Sequence, residues 1–338
     1  MFLNNVVVRY RPPNVVVPRS LPYLPLVPAP IHLLVNPAAG SGRGRERVER
    51  AYAALRTIGP VALVESQSPR DETRLAIDAS RARARALVVL GGDGSVSHAA
   101  RGLIAERSPT PLAIFAAGTG NDFAKSLRIP ATDYLAMTRL IASGATRFID
   151  AADVDGVSFV NAAGFGFDVD VLGRIGTPGR TAMLRGTALY IVTALRRLFR
   201  YRGFSASVDR MHDGQSSAWL TLVFANGQWF GGAFRIAPNA ALDDGALDCI
   251  GIGNAAPLQR VQLFARALRG AHVQHPRVST ARAESFTLEF EERPHFQADG
   301  ELHLARARRI EIRCLPRALR IVAPETASVV GAGARPAD

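Results

Sequence analysis

Two stretches of this 338-residue chain set carboxylates beside glycines, a combination suited to phosphoryl transfer. The first is Leu87-Val88-Val89-Leu90-Gly91-Gly92-Asp93-Gly94-Ser95-Val96, and the second is Asp299-Gly300-Glu301. Three glycines in four positions leave no Cβ in the way of a phosphate approaching the main chain. Asp93 is the only charge there, and an acid beside a polyphosphate serves as a ligand for Mg²⁺ or for the metal's water. In the second stretch two carboxylates flank one glycine, so a tight turn can carry both into a cleft. Such a group could accept the proton of an attacking hydroxyl beside a metal-bound nucleotide. A third acidic run, Asp243-Asp244-Gly245-Ala246-Leu247-Asp248, reads equally as a hairpin turn or as an oxygen-ligand site for a hard cation. Taken alone, each of these is also an ordinary turn.

The elements around the first stretch favour the chemical reading. Leu87 to Leu90 is a short buried strand, and Val96, Ala99, Ala100, Leu103 and Ile104 follow at helical spacing. The same order precedes it: a strand Ile31–Val35, a turn Asn36-Pro37-Ala38-Ala39-Gly40-Ser41-Gly42, and a helix through Val48, Tyr52 and Leu55. It recurs after it, with a strand 112–115, a turn Gly118-Thr119-Gly120-Asn121-Asp122, and a helix that stops before Pro130. A strand 60–65 and a helix 71–80 complete the rhythm of a parallel, doubly wound sheet. In such a sheet the loops after the strands gather on one edge, where ligands bind. Three glycine turns on that edge predict a nucleotide phosphate site. Thr119 can donate to a phosphate or a base, whereas Asn121 and Asp122 are also favoured helix N-caps. Lys125 is either a phosphate counter-charge or a solvated side chain.

From about Asp150 the rhythm changes to short alternating segments: 157–160, 205–208, 218–224, 234–237, 246–251, 285–290 and 309–313. Asp-Gly turns punctuate them, which predicts an antiparallel β-sandwich. One long helix, 181–200, interrupts it and ends in Arg196-Arg197-Leu198-Phe199-Arg200-Tyr201-Arg202. That end is either an ordinary solvated helix terminus or a patch that rests on an anionic membrane.

Composition narrows the class. The net charge is +12, almost wholly from arginine, which favours anionic partners: phosphorylated substrates, an anionic bilayer or nucleic acid. The arginines are scattered and no nucleic-acid motif is present, so the reading is of no nucleic-acid partner. The two cysteines, Cys249 and Cys314, lack metal-ligand spacing and point to a reducing compartment. No apolar run is long enough to span a bilayer. Residues 1–30 carry prolines at a density that forbids helix and central strand, and read as a poorly ordered extension. Domains are therefore expected at 31–149, with a returning strand 317–325, and at 150–316; residues 326–338 read as a tail.

Assembled, these motifs resemble the diacylglycerol kinase catalytic-domain family, in particular the bacterial soluble lipid kinases. The resemblance covers roughly 31–325. It rests on Asn36-Pro37 with Gly40, on Gly91-Gly92-Asp93-Gly94-Ser95 and on Gly118-Thr119-Gly120-Asn121-Asp122-Phe123-Ala124. Asn161 through Asp168, Asp243 through Asp248 and Asp299-Gly300-Glu301 continue it in the same order. It implies a cytoplasmic, peripherally membrane-associated enzyme that uses ATP and Mg²⁺ to phosphorylate a lipid hydroxyl, with diacylglycerol the default substrate and a homodimer left open. Asp299 would be the general base, with Glu301 beside it. Asn36, Pro37, Gly40, Gly91, Gly92, Asp93, Gly94, Ser95, Gly118, Thr119, Gly120, Asn121 and Asp122 would serve the nucleotide. Asp93 would meet the catalytic metal, and Asp244 with the oxygen of Ala246 would hold a structural Mg²⁺. Phe165, Phe167, Tyr190, Leu198 and Phe199 are candidate lipid contacts.

The chain also departs from that pattern. Ser95 stands for a threonine, His98 for a glutamate, Arg101 for an asparagine and Ala39 for a frequent serine. Competing expectations are a kinase for another lipid or a small alcohol, and a non-catalytic nucleotide- or lipid-binding relative.

Overall fold

A computed structural model describes residues 29–36, 44–68, 70–175 and 187–324. The expectations for the N-terminal extension, for Pro37, Ala39 and Gly40, for the first part of the long helix and for the tail lie outside these residues. Strands and helices alternate first: β1 Ile31–Val35, α1 Gly44–Arg56, β2 Val61–Glu65, α2 Asp71–Arg81, β3 Ala86–Gly91, α3 Asp93–Ala105, β4 Leu112–Ala116, α4 Asp122–Leu127 and α5 Tyr134–Ser143. The second half holds β5 Thr146–Val154, β6 Val157–Phe159, β7 Ala162–Gly166, α6 Phe167–Ile175, α7 Thr187–Leu198, β8 Phe204–Val208, β9 Ser217–Ala225 and β10 Leu247–Gly253. It closes with α8 Pro257–Ala267, β11 Val278–Ala283, β12 Ser285–Phe290, β13 His295–Ala298, β14 Glu301–Leu304 and β15 Arg309–Val322.

Strands β2-β1-β3-β4 form the expected parallel sheet, with Leu33 facing Val88 on one side and Leu63 on the other. Its two faces are both covered, as the unbroken apolar runs require. Ile31, Leu33, Val88, Leu90 and Phe115 pack under α1 and α5, whereas Leu34, Leu87, Val89 and Ile114 pack under α2, α3 and α4.

The second domain is the expected sandwich. Phe165, Trp219, Phe224, Phe286, Phe296 and Ile312 fill the space between its layers. A separate apolar cluster lies between the outer face of β7, β9 and β10 and helices α6, α7 and α8.

Three features depart from the sequence reading. The segment 234–237 is not a strand. Gly231 and Gly232 turn the chain at φ 61° and 81°, and only Phe230 and Phe234 bridge. Its side chains pack on α8 instead, Phe234 stacking edge-on against Phe264 at 4.6 Å. The described part of the long helix is Thr187–Leu198. The segments expected at 309–313 and near the C-terminus are one 14-residue strand, β15, which pairs with β5 along its length and touches β4. Its register slips between Leu315 and Leu319, where Pro316 has no N–H to give the ladder and Arg317 sits at φ 52°. Buried Asp150 repairs the gap by accepting from Arg317 N at 2.8 Å. Two long strands therefore join the domains.

Candidate active site

The glycine turns after β3 and β4 pack on each other as well as facing outward. A Cβ on Gly118 would lie 2.8 Å from the Cα of Gly92, and one on Gly120 would lie 2.7 Å from Asp93 Oδ2. Gly94, by contrast, has nothing within 4 Å of where a Cβ would stand, so its backbone is bare to an incoming group. The carboxylate of Asp93 accepts from Asn121 N at 2.7 Å and from Asp122 N at 2.9 Å. It thus caps α4 from another turn. Asn121, at the cap position with φ 54°, makes no side-chain cap bond of its own and donates to Gly118 O at 3.0 Å. Burial, helped by the Asp122 charge, raises the Asp93 carboxyl above its usual range.

Asn36 and Ser95 meet around buried Glu72, whose Oε1 accepts from Asn36 Nδ2 at 2.8 Å and from Ser95 Oγ at 3.2 Å. Asn36 also borders a cavity of about 330 Å³ at the C-terminal ends of β1 to β4, with Arg45, Arg47 and Glu65 on its rim. This is the edge where a doubly wound sheet takes its ligands.

Asp122 and Lys125 turn out to hold the second domain. Asp122 Oδ2 accepts from Gly232 N at 2.7 Å, and Lys125 Nζ donates to Gly232 O at 2.6 Å. Lys125 also lies 5.5 Å from the Trp229 ring centre, a cation–π contact. Ser126 Oγ accepts from Gln228 N at 3.0 Å. Burial raises the Asp122 carboxyl, with Gly232 and Lys125 opposing.

The second domain returns a turn of its own. Asp299 and Gly300 lie at φ 51° and 85°, linking β13 to β14. The Asp299 carboxylate accepts from Val160 N at 2.9 Å, Asn161 N at 2.9 Å and Ala162 N at 3.2 Å, and from Ser97 Oγ on α3 at 2.7 Å. Asp93, Asp122, Asp299, Ser97 and Thr119 all border one cavity of about 300 Å³ between the domains. Tyr190 and Phe230 border this cavity too, and they also line a smaller pocket of about 70 Å³ among α6, α7 and α8.

Of the five candidate lipid contacts, Phe167, Tyr190 and Leu198 meet in that smaller, apolar pocket. Phe165 faces the sandwich interior, 6.1 Å from Phe224 ring to ring, and Phe199 is 60% exposed. Asp168 also borders the pocket. Full burial, only partly offset by the Thr221 hydroxyl, pushes its carboxyl up to about 6.

Glu301 stands apart from the cavity. It pairs with Arg70 and Arg101, and His98 Nε2 lies 3.4 Å from its Oε2. Burial works to raise its carboxyl, but the Arg101 hydrogen bond and the surrounding positive charge outweigh this and hold it at about 2. The remaining acidic run is engaged elsewhere. Asp244 pairs with Arg282 and accepts from Ala246 N at 3.1 Å, so an arginine meets the carboxylate for which a cation was expected. Among the described residues no group of three or more His, Cys, Asp and Glu side chains is arranged to hold a metal ion by itself.

Sequence reasoning missed Ser97, Glu72 and Arg70. Ser97 stands one helical turn beyond Asp93 on α3, and that spacing was the available signal.

A doubly wound domain with glycine turns on its ligand edge is thus closed by a β-sandwich that supplies a carboxylate turn. The chain belongs to the diacylglycerol kinase family. Residues 30–154 match the Diacylglycerol kinase catalytic domain, and residues 162–323 match the YegS C-terminal NAD kinase beta sandwich-like domain. A diacylglycerol kinase of Mycobacterium tuberculosis is 31% identical over 298 residues, 86% of this chain and 94% of that protein. One of Bacillus subtilis is 27% identical over 234 residues, 68% of this chain and 76% of that protein. A YegS-like lipid kinase, so named, of Pseudomonas aeruginosa is 30% identical over 289 residues, 84% of this chain and 92% of that protein. In fold, the chain matches a crystal structure of a Bacillus anthracis diacylglycerol kinase with a TM-score of 0.66 at 20% identity, over 88% of this chain and 97% of that one.

Proposed function

We propose that this lipid kinase transfers the γ-phosphate of ATP to a lipid hydroxyl, with diacylglycerol as substrate and Asp299 as the general base. The observation that carries the reading is the shared cavity. Asp299 and Asp93 border it from opposite domains, and Tyr190 and Phe230 connect it to an apolar pocket suited to hydrocarbon. ATP would lie along the edge formed by Asn36, Gly94 and Ser95, with its phosphates toward Asp93 and Thr119, and Arg45 and Arg47 offer counter-charge at the rim. Asp93 borders the cavity and would offer a carboxylate oxygen to a Mg²⁺ that takes its other ligands from phosphate and water. Such an ion would neutralise charge developing on the transferred group.

Asp299 is already surrounded. An ionised carboxylate has about four acceptor sites, and three backbone amides and one hydroxyl fill them. The amides fix its orientation, whereas the Ser97 hydroxyl can rotate away. A substrate hydroxyl would take the place of Ser97 on Oδ2 and pass its proton there as it attacks phosphorus.

The exposed Leu195 and Phe199 beside Arg196 and Arg200 give the end of α7 an apolar tip ringed by positive charge. That end would rest on an anionic bilayer and bring the cavity to its lipid. The YegS-like relatives keep a second lipid alcohol open as the acceptor. The test is transfer of labelled γ-phosphate to a panel of lipid alcohols in mixed micelles. Labelled phosphatidic acid from diacylglycerol supports the reading, and label on another lipid reassigns the acceptor. Label on none refutes the lipid-kinase reading of this site.

A further inference from the structure

One guanidinium holds both sides of the Asp299 turn. Arg101, on α3, is 16% exposed and reaches three segments of the second domain. Its Nε donates to Ser158 O at 2.8 Å, its Nη1 to Glu301 Oε2 at 2.5 Å, and its Nη2 to Ala298 O at 3.2 Å. Ala298 immediately precedes Asp299 and Glu301 follows two residues later. Ser158 leads directly into Val160, Asn161 and Ala162, the amides that orient the Asp299 carboxylate. The strand end that carries the base and the segment that aims it are thus tied to the same side chain.

Glu301 faces this guanidinium and not the cavity. Asp299 and Gly300 border the cavity, but Glu301 does not. Arg70 from the start of α2 meets its other oxygen, and His98 and His303 lie 3.4 and 3.7 Å from Oε2. Through His98, 3.6 Å from Glu72 Oε2, the cluster continues to Asn36 and Ser95 on the nucleotide edge.

We propose that Arg101 and Glu301 form an inter-domain latch that positions Asp299, with Glu301 acting as a counter-ion and not as a second catalytic carboxylate. The proposal rests on the reading of Asp299 as the base. Arg101 is a positioning residue: its planar fork spreads donors over three nitrogens to meet acceptors on separate segments, whereas a lysine ammonium offers its three donors from a single point.

The test is a mutant cycle on the full chain with Arg101→Met, Arg101→Lys, Glu301→Gln and the double variant Arg101→Met with Glu301→Gln. Displacement of a reacting group by about 1 Å costs about 10²-fold, so Arg101→Met should lose about that much in kcat, with KM for ATP little changed. Arg101→Lys should recover little of it. Glu301→Gln keeps an acceptor for Arg101, so its loss should be about tenfold or less, the scale of one hydrogen bond. The double variant should match Arg101→Met, because the two residues act as a unit. Hydrogen exchange at the amides of 160–162 gives a readout that does not depend on the substrate. It should quicken in Arg101→Met and stay near wild type in Glu301→Gln, whose shape favours normal folding. If the wild type phosphorylates no lipid, the base assignment fails, and exchange alone decides whether the latch exists. A Glu301→Gln loss as deep as that of Asp299→Asn, additive losses in the double variant, or unchanged exchange in Arg101→Met would overturn the proposal.

Discussion

Ser97 Oγ lies 2.7 Å from Asp299 Oδ2, a hydrogen bond between the third helix of one domain and a turn of the other. It is the one side-chain donor among the four groups that hold the carboxylate, and so the one that substrate can displace. Ser97→Ala leaves the three amides in place and vacates the position that the substrate hydroxyl takes, so kcat should stay within about tenfold of wild type, the scale of one hydrogen bond. KM for ATP should not move. Steady-state kinetics against both substrates check this.

Glu301 makes acid stability dependent on its cluster. Its carboxyl is held at about 2 in the folded protein, below the usual 4.5 of the unfolded chain. A depressed folded value means that the contribution is present above pH 4.5 and is lost as pH falls toward 2. Melting curves of wild type should therefore fall across that window, and Glu301→Gln should show a shallower fall. Equal slopes would show that Glu301 does not set the acid stability.

Asp168 has the opposite sign. Its carboxyl is pushed from 3.8 up to about 6 by full burial. Between those values the folded protein holds a proton that the unfolded chain has released, so stability falls as pH rises and then levels off. Asp168→Asn keeps the acceptor for Thr221 Oγ1, 3.1 Å away, and removes the buried charge. At pH 7.5 it should raise stability by up to ~3 kcal/mol, read by urea denaturation.

Lys125 is the only lysine in the chain, and its ammonium sits between Gly232 O, Asp122 and the face of Trp229. Lys125→Met keeps the stem and deletes the donor. Loss of a charge-assisted bond should cost about 1–2 kcal/mol and leave Asp122 with Gly232 N as its remaining partner. Thermal unfolding with and without nucleotide measures it.

The first domain was readable because its strands are unbroken apolar runs entering glycine turns, a pattern set by local sequence. The sandwich was legible only in outline. The strand reading at 234–237 failed because Phe234 and Ile236 pack on helices that lie far away in sequence. The continuity of β15 was hidden by Pro316, whose effect is absorbed by Asp150 from another strand. At the site, residue types were legible and their partners were not. Asp93 reads as a phosphate or metal residue, yet its carboxylate also caps α4, and Asp122 and Lys125 prove to staple the domains. His98 and Arg101 read as departures from the family pattern. Their counterpart, Glu301, lies about two hundred residues further along the chain, and only the fold brings it to them.

Whether Asp299 takes the proton of a lipid hydroxyl is decided by single-turnover phosphoryl transfer by Asp299→Asn at saturating ATP and diacylglycerol. An amide keeps the shape and much of the hydrogen bonding but cannot accept that proton as a base. ATP binding should be unchanged and the transfer step slowed by about 10²- to 10⁴-fold. Transfer within a fewfold of wild type, with ATP bound equally well, would contradict the assignment of Asp299 as the base.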